Sequence, residues 1–494
     1  MKKIVILSSL LGLLLTTTAC RDEFLQSKPT ETLADPPAQA KLNGLYLMMV
    51  NTGTGGTTGH DDYGQKGYDL VSDLLSADMV LSGDTYGWYR NIANLSAPVD
   101  YTNNANYQPW RYYYRVAYAA NDVIAGLGGN DAVPNGADKA SMGQAKAMRA
   151  YAYFYLMQLF TTEYNPEALS IPLYTDTGVN GKPKAKQSEV YGQIVKDLTD
   201  AVELLSNFNR ANKGQINQDV AKGLLAYTYA AIGENAKAAE LSLQIIKNYP
   251  ITTPEETVYS EEAGAGGGFN SLSTKSWMWG FDLTEANDLD LISWWGQADI
   301  FTYSYSWVGD AKSIDFGLYD AIRPDDIRKN QFKTVTETDE GYDMFDAKED
   351  GDYPAVPANK FYAPGRTIGG QRIVTTDYLF MRVDEFHLLA AETLAKSGNE
   401  AQAKTVLIDF LTNRMEDPAY INSLAGSALQ NEIYLQTRIE LWGEGKSYLA
   451  MKRNKATTKR GENHLYYGGQ TFPYNDDRLT LDIPQQEVNN NPNL

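Results

Sequence analysis

Residues 224–250 read LLAYTYAAIGENAKAAELSLQIIKNYP and predict two helices that meet at Gly233. Apolar and small residues recur every three or four positions on both sides of this glycine, as they do along one face of a helix. Pro250 ends the second helix. Ala226 and Ala238 are small enough to let two antiparallel helices touch. The stretch therefore predicts a helical hairpin.

The same spacing of small residues occurs a second time, at Ala391, Gly398 and Ala403. Generic antiparallel helices with alanine at the crossing would give the same pattern and the same fold class. The fold class predicted from both stretches is mainly all-α, built from helix pairs. The first stretch also matches the offsets of a tetratricopeptide unit through Leu225, Ala226, Tyr229, Gly233, Ala238 and Pro250.

Other segments extend or interrupt the helical pattern. Residues 145–159 and 190–205 each carry one apolar helical face, and Ser188 is a candidate N-cap for the second. Residues 251–377 have little helical period and are rich in Gly, Pro, Asp and aromatic residues. Their glycine-rich stretch, 264–268, lacks the Gly-Lys-Ser/Thr of a phosphate loop. We expect loops and short strands laid over the helical frame, and a long irregular region is uncommon unless it is functional.

The amino-terminal segment predicts a lipid-anchored, secreted protein. A basic start and an apolar run too short to span a bilayer precede Cys20, the single cysteine of the chain. An unpaired secretory cysteine at this position fits a lipobox, with residues 1–19 as signal peptide and Cys20 as the acylated residue. The proline-containing residues 20–40 then form the anchor and an extended tether. The alternative is a buried free cysteine.

The charge of the chain excludes some partners. Its formal net charge is −19, and removing Lys2 and Lys3 with the signal peptide leaves 41 basic against 62 acidic residues, a charge of −21. Such a surface repels nucleic acid and anionic lipid. We therefore expect no nucleic-acid partner, and membrane attachment only through acylated Cys20.

Several chemically suggestive residues are expected to be structural. Arg438, Glu440 and Glu444 fall on one predicted helix, where an ion-pair network is favoured over catalysis. His387 lies among apolar residues and predicts a packed core histidine. Core packing is also expected of three aromatic residues that step by four, Trp110, Tyr114 and Tyr118.

No catalytic residue, metal set or cofactor is predicted. His60 and His464, the other histidines, are scattered, and no paired histidine spacing accompanies the one cysteine. Acidic pairs such as Asp325–Asp326 are too abundant to indicate a glycosidase. A calcium ion held by such carboxylates remains an open alternative.

Aromatic residues are the candidates for ligand binding, because a flat apolar face with a polar handle suits a sugar or a peptide as well as helix packing. For each candidate the alternative is burial, since tryptophan is highly buried on average. The first cluster follows the segment SADMV at 76–80 and comprises Tyr86, Trp88, Tyr89 and Asn91. The second lies in the irregular region and comprises Trp294, Trp295, Tyr303 and Tyr305, with Trp307 nearby.

The chain resembles the SusD/RagB family of outer-membrane nutrient-binding lipoproteins of Bacteroidetes along nearly its whole length. The resemblance begins with CRDEFLQSKPTETL at 20–33 and includes SADMV. Its most specific parts are RVDEFHLLAAETLAKSG at 382–398 and RIELWGEGKSYLAMKR at 438–453. The segment IPQQEVNNNPNL at 483–494 resembles the terminal motif of the family.

The resemblance implies a fold, a location and a function. The fold is a right-handed superhelical frame of tetratricopeptide-like pairs, within one domain at 41–494 whose frame covers about 41–250 and 378–460 and whose ligand-bearing region covers about 251–377. The location is the extracellular face of the outer membrane. The implied function is capture of an oligosaccharide and its delivery to a SusC-like TonB-dependent transporter, without catalysis. Peptide capture, as in the RagB branch, and a tetratricopeptide scaffold that binds only proteins are the alternatives.

Overall fold

The computed structural model describes residues 36–260 and 268–494 and is mainly helical. Cys20, the predicted signal peptide and most of the predicted tether lie outside the described residues. The helices are α1 (Ala38–Leu47), α2 (Gln65–Leu75), α3 (Arg90–Ala93), α4 (Asn104–Gly126), α5 (Ala137–Phe160), α6 (Gln187–Leu204), α7 (Gln218–Ala231), α8 (Asn235–Ile245), α9 (Pro254–Thr257), α10 (Trp294–Ala298), α11 (Phe316–Ala321), α12 (Asp384–Lys396), α13 (Glu400–Leu411), α14 (Ser427–Glu440), α15 (Ser447–Arg453) and α16 (Gln485–Asn490).

The frame is a row of helices packed in chain order. Helices α4 to α8 each contact the next one, and α12 packs against α8 as well as against α13 and α14. The two predicted hairpins are α7–α8 and α12–α13. Ala226, Ala238, Ala391 and Ala403 are fully buried at the helix contacts. The prediction of a mainly helical fold with tetratricopeptide-like pairs is confirmed.

Short antiparallel strands accompany the helices, and five of the eleven strands among the described residues lie in the predicted irregular region. The strands are β1 (Met79–Leu81), β2 (Leu169–Pro172), β3 (Lys184–Lys186), β4 (Trp277–Phe281), β5 (Lys312–Ile314), β6 (Lys333–Thr338), β7 (Gly341–Asp346), β8 (Tyr353–Val356), β9 (Tyr378–Arg382), β10 (Thr457–Lys459) and β11 (Thr471–Pro473). Strand β1 pairs with β5, β4 with β9, and β6 with both β7 and β8, while β2–β3 and β10–β11 form separate ribbons.

A buried ion-pair network ties the irregular region to the frame. Glu440, at the end of α14, accepts hydrogen bonds from Arg382 (2.7 Å), Arg414 (2.9 Å) and Arg328 (3.1 Å). Glu444 bonds Arg382 and Lys360 in the same network. Burial alone would raise the pKa of Glu440, but the three guanidinium charges lower it well below its usual value. The predicted structural network is present, although Glu444 lies beyond the end of α14, in the turn that follows.

Other local predictions have different outcomes. Arg438 pairs with Asp78 and not with the network around Glu440. His387 is buried against Phe410, as expected of a core histidine. Ser188 is not the N-cap of α6. That helix begins at Gln187 behind the N-cap Lys186, so Ser188 already lies inside it.

The prediction for one residue of α4 is wrong. Trp110 is buried, but Tyr118 is 50% exposed. A step of four residues turns by about 40° more than one full helical turn, so two steps rotate a side chain well out of the core-facing stripe. Among the described residues, the helices are too short or too polar to cross a bilayer.

Candidate functional site

The ladder between β1 and β5 brings one member of the second predicted aromatic cluster, Tyr305, beside the first cluster. Met79 pairs with Ile314 and Leu81 with Lys312. The pairing continues one residue further, because the amide of Ser82 donates to the carbonyl of Ala311 at 3.0 Å. The loop that carries Trp88 therefore leaves this ladder directly beside the segment that carries Tyr305.

Two contacts fix the loop after β1 against that segment. Oδ1 of Asp310 accepts the backbone amides of Thr85 at 2.5 Å and Tyr86 at 2.9 Å. At Gly83, a Cβ atom would lie 1.9 Å from the carbonyl oxygen of Gly309, so only glycine allows this approach. These contacts hold the loop in place by its backbone.

Four rings from three segments form one aromatic cluster, which we call the aromatic platform: His60, Trp88, Tyr305 and Tyr86. His60 stacks on Trp88 with ring centroids 5.1 Å apart and planes 8° apart. Tyr305 meets Trp88 edge-on at 5.9 Å and Tyr86 at 5.4 Å, and its hydroxyl hydrogen-bonds Nδ1 of His60. Tyr86 is 60% exposed, and Trp88 and His60 are partly buried. The platform thus combines an exposed aromatic edge with a firmly packed base.

A polar cleft of about 570 Å³ lies beside Trp88. Its walls include Asn91, which is exposed, and Asp61. Nε2 of Gln108 donates to Oδ1 of Asp61 at 2.9 Å and to the hydroxyl of Thr57 at 3.0 Å. A ligand on the platform can therefore find hydrogen-bonding groups within the same cleft.

Buried polar groups support the platform from below. Lys312 donates from Nζ to Oε1 of Gln297 at 2.7 Å and to the carbonyl of Asp310 at 2.9 Å. Gln297 in turn donates to the carbonyl of His60 at 3.3 Å. Burial lowers the pKa of Lys312 to about 7, against the opposing charge of Asp310. A single chain of contacts thus links the backbones that carry His60, Tyr86 and Tyr305.

The structure places the predicted candidates in different environments. Tyr86, Trp88 and Tyr305 lie together, and Asn91 lies in the adjacent cleft. Tyr89 is buried below the loop, where its hydroxyl donates to the hydroxyl of Tyr63 at 2.7 Å.

Three candidates of the second cluster lie away from the platform. Trp294 and Trp295 are each 1% exposed and pack on one another and on Phe361, so the structure corrects their assignment to the ligand surface. Tyr303 packs on Trp307 and lies under the guanidinium of Arg372 at 3.8 Å, within its own cluster.

Sequence reasoning missed His60. It is a single histidine in a glycine-rich segment, and its contact with Tyr305 spans 245 residues. The only local signal is its position beside Asp61–Asp62, which carries no aromatic pattern.

Two family descriptions match most of the chain. Residues 23–229 match a SusD-like family described as starch-binding and associating with outer membrane. Residues 295–494 match the SusD family.

Individual relatives are more distant in sequence. The chain is 24% identical over 209 residues to the SusD-like protein P25 of Formosa agariphila and 30% identical over 128 residues to a SusD-like protein of Bacteroides ovatus. These alignments span 40% and 25% of this chain, but only 37% and 22% of the respective relatives.

Solved structures match over almost the full length. A SusD-like carbohydrate binding protein from Bacteroides vulgatus has a TM-score of 0.75 at 25% identity, over 92% of this chain and 96% of that one. The surface glycan-binding protein A from Bacteroides thetaiotaomicron, solved with laminarihexaose, has a TM-score of 0.65 at 16% identity, over 92% and 97%. The second likeness concerns the fold alone.

Proposed function

The chain belongs to the SusD/RagB family, and from this membership we propose that it captures an oligosaccharide at the aromatic platform and its cleft. The observation that carries the proposal is the assembly of Trp88, His60, Tyr305 and Tyr86 from three distant segments around one exposed edge. Aromatic faces pack against the apolar face of a sugar ring, and the amides and carboxylates beside them bond its hydroxyls. Asn91 and Asp61 supply such groups in the cleft.

The charges around the platform favour a glycan over a peptide. A peptide carboxylate would be held best by a free guanidinium or ammonium group. Arg90, the basic residue that lines the cleft, already donates from Nε to Asp84 at 2.6 Å. The platform therefore offers rings and neutral or acidic groups, which suit hydroxyl-rich ligands.

We further propose a role in uptake at the cell surface. Acylated Cys20 would hold the protein on the extracellular face of the outer membrane, and the captured glycan would pass to a SusC-like TonB-dependent transporter. The protein would bind its ligand without turning it over. Residues 41–494 would act as one domain, in which the frame at about 41–250 and 378–460 positions the irregular region at about 251–377.

The test is native affinity electrophoresis of the unlipidated protein in gels that contain individual polysaccharides. We expect one glycan to retard the wild type and the Phe345→Ala control, which removes an exposed ring from β7, and not to retard Trp88→Ala or Tyr305→Ala. Equal retardation of all four proteins would remove the platform from the ligand site. Retardation by no glycan, together with calorimetric binding of peptides, would establish the peptide-binding alternative. Hydrolysis of a retarding glycan by the purified protein would contradict a purely binding role.

Uptake is tested separately. Deleting the gene of the partner transporter should abolish import of the retarding glycan while the protein still binds it at the surface. Unchanged import in that strain would contradict delivery to the transporter.

A further inference from the structure

A second groove runs between one face of α4 and the carboxyl-terminal helix α16. It encloses about 520 Å³, within the range of roughly 300–1,000 Å³ that is usual for pockets of small ligands. Tyr107, Tyr114 and Tyr118 line it from α4. Tyr118 is 50% exposed, and Tyr107 and Tyr114 are partly buried. The groove thus presents aromatic rings to solvent at a place separate from the aromatic platform.

Two arginines, Arg111 and Arg115, lie on the same face of α4 and line the same groove. Within residues 36–260 and 268–494, neither guanidinium has a carboxylate oxygen within 4.0 Å. Each makes a protein hydrogen bond through Nη1 alone, to the carbonyl of Thr54, at 3.5 Å for Arg111 and 2.8 Å for Arg115. A guanidinium has five N–H donors, so most of its fork stays open to a ligand.

The loop before α2 holds the first of these arginines in place. Gly56 has φ +88°, and a Cβ atom there would lie 2.6 Å from Cδ of Arg111 and 2.7 Å from Nη1. The backbone of the loop therefore packs directly on the side chain of Arg111. The carbonyl of Thr54, in the same loop, is the acceptor for both arginines. The guanidinium groups are positioned by backbone and not by a counter-ion.

The opposite wall of the groove supplies polar groups of a different kind. Oε1 of Gln486 is buried and accepts no hydrogen bond from the described residues. The carboxylate of Glu487 accepts from Nε1 of Trp110 at 3.3 Å and from Nδ2 of Asn491 at 2.8 Å. Gln486 lines the groove with an amide oxygen that has no donor among the described residues, so a small rotation of this side chain would present it to a ligand hydroxyl, while Glu487 is engaged by the protein.

We propose that this groove is a binding site for an acidic saccharide, with the anionic group on Arg111 and Arg115 and a sugar ring on Tyr118. Guanidinium forks bind carboxylate and sulfate oxygens in pairs, and such charge-assisted bonds are the strong ones. The stacked ring and the hydroxyl acceptor of Gln486 distinguish a saccharide from a bare anion or an acidic peptide. The inference does not depend on the function proposed for the platform, because the two sites share no ring.

The test is isothermal titration of the unlipidated protein with trigalacturonate and with a chondroitin sulfate tetrasaccharide, each at low and at about physiological ionic strength. We expect at least one of them to bind and to bind more weakly at the higher ionic strength. The double variant Arg111→Gln/Arg115→Gln should lose about tenfold or more in affinity. Tyr118→Ala should lose several-fold. The charge-matched double variant Lys186→Gln/Lys237→Gln, at exposed sites on β3 and α8, should bind like the wild type.

Further titrations distinguish an acidic saccharide from other possible ligands of the groove. The methyl ester of trigalacturonate should bind at least about tenfold more weakly than the acid, because it lacks the anion, and triglutamate should bind several-fold more weakly than the acid, because it has no sugar ring for Tyr118. Equal binding of triglutamate and the acidic saccharides would overturn the saccharide assignment. Binding of neither probe, or binding unchanged in both the arginine and tyrosine variants, would overturn the site. Trp88→Ala should leave binding at this groove intact. A failure of the groove proposal can therefore be distinguished from a failure of the proposal for the aromatic platform.

Discussion

The imidazole of His60 lies face to face with the indole of Trp88, with an interplanar angle of 8° and ring centroids 5.1 Å apart. The same imidazole hydrogen-bonds Tyr305, so it fixes the relative position of two rings that come from different loops. His60 thus connects the two loops that carry Trp88 and Tyr305.

Substitutions of His60 test whether this connection supports ligand binding. His60→Ala should weaken binding of the glycan found by electrophoresis by about three- to tenfold, because Trp88 loses a stacking partner worth roughly 0.5–1.5 kcal/mol. His60→Phe keeps the stack but loses the bond to Tyr305, so it should bind better than the alanine variant. Calorimetry with both variants is the measurement. Equal affinity of His60→Ala and wild type would show that His60 does not position Trp88 and Tyr305 for binding.

Asp310 should act on binding through the backbone of the loop. Asp310→Ala removes the acceptor for the amides of Thr85 and Tyr86, and it should lower affinity without altering any ring. Hydrogen exchange at those two amides should accelerate in the same variant. Asp310→Asn, which keeps an acceptor oxygen, should recover most of the affinity. Unchanged exchange rates in Asp310→Ala would show that the loop is held by other contacts.

Gly83 and Gly192 form a matched pair of glycine substitutions. Gly83→Ala should destabilise the protein and weaken glycan binding, because its Cβ would lie 1.9 Å from the carbonyl oxygen of Gly309. Gly192, inside α6, has nothing within 4 Å of its Cβ position, so Gly192→Ala should stabilise the protein by roughly 0.5–1 kcal/mol. Thermal unfolding of both variants is the check, and a neutral Gly83→Ala would contradict the close approach.

Glu440 should be the most costly carboxylate to remove. Glu440→Gln leaves Arg328, Arg382 and Arg414 without their shared buried counter-charge and should cost about 3–5 kcal/mol of unfolding free energy. Its pKa is depressed in the folded state, so its contribution is complete above the unfolded pKa and is lost as pH falls through the folded one. Glu163→Gln, at an exposed pair with Lys455, is the control and should have little effect. Similar urea midpoints for the two variants would refute the prediction.

Lys312 should also make stability rise with pH, but in a higher pH window, because burial disfavours its charged form. Burial lowers its pKa to about 7, whereas the pKa of the unfolded side chain lies near the ordinary lysine value of 10.5. Between these values the unfolded chain binds more protons, so the wild type should gain stability with rising pH, by at most about 1.4 kcal/mol per unit. Lys312→Met lacks the titrating amine, so the difference in unfolding free energy between the two proteins should change with pH over that window. A constant difference would mean that Lys312 stays charged when folded.

The sequence predicted those features that depend on neighbours along the chain. The helix pairs were visible because Ala226 and Ala238 recur at the spacing that a helix crossing requires. Tyr118 was misplaced because a four-residue step resembles a helical stripe over one turn and departs from it over two. The exposure of a residue at such a margin depends on how the helix is rotated in the frame.

The site was only partly predictable because long-range contacts build it. Trp88 and Tyr305 were both candidates, but only the pairing of β1 with β5 puts them side by side. Trp294 and Trp295 are tryptophans like Trp88, but they pack against Phe361 and are buried. Neither fact has a local signature in the sequence.

The ladder between β1 and β5 also has a consequence for the order of folding. Its partners are more than two hundred residues apart, as in Met79 and Ile314, so the chain must close a very long loop before the ladder can form. Contacts of this separation form late and slowly compared with the helix pairs. A chain cleaved or stalled before residue 314 would keep many helices and still lack the platform. Binding at the aromatic platform would therefore be a stricter measure of complete folding than helical content.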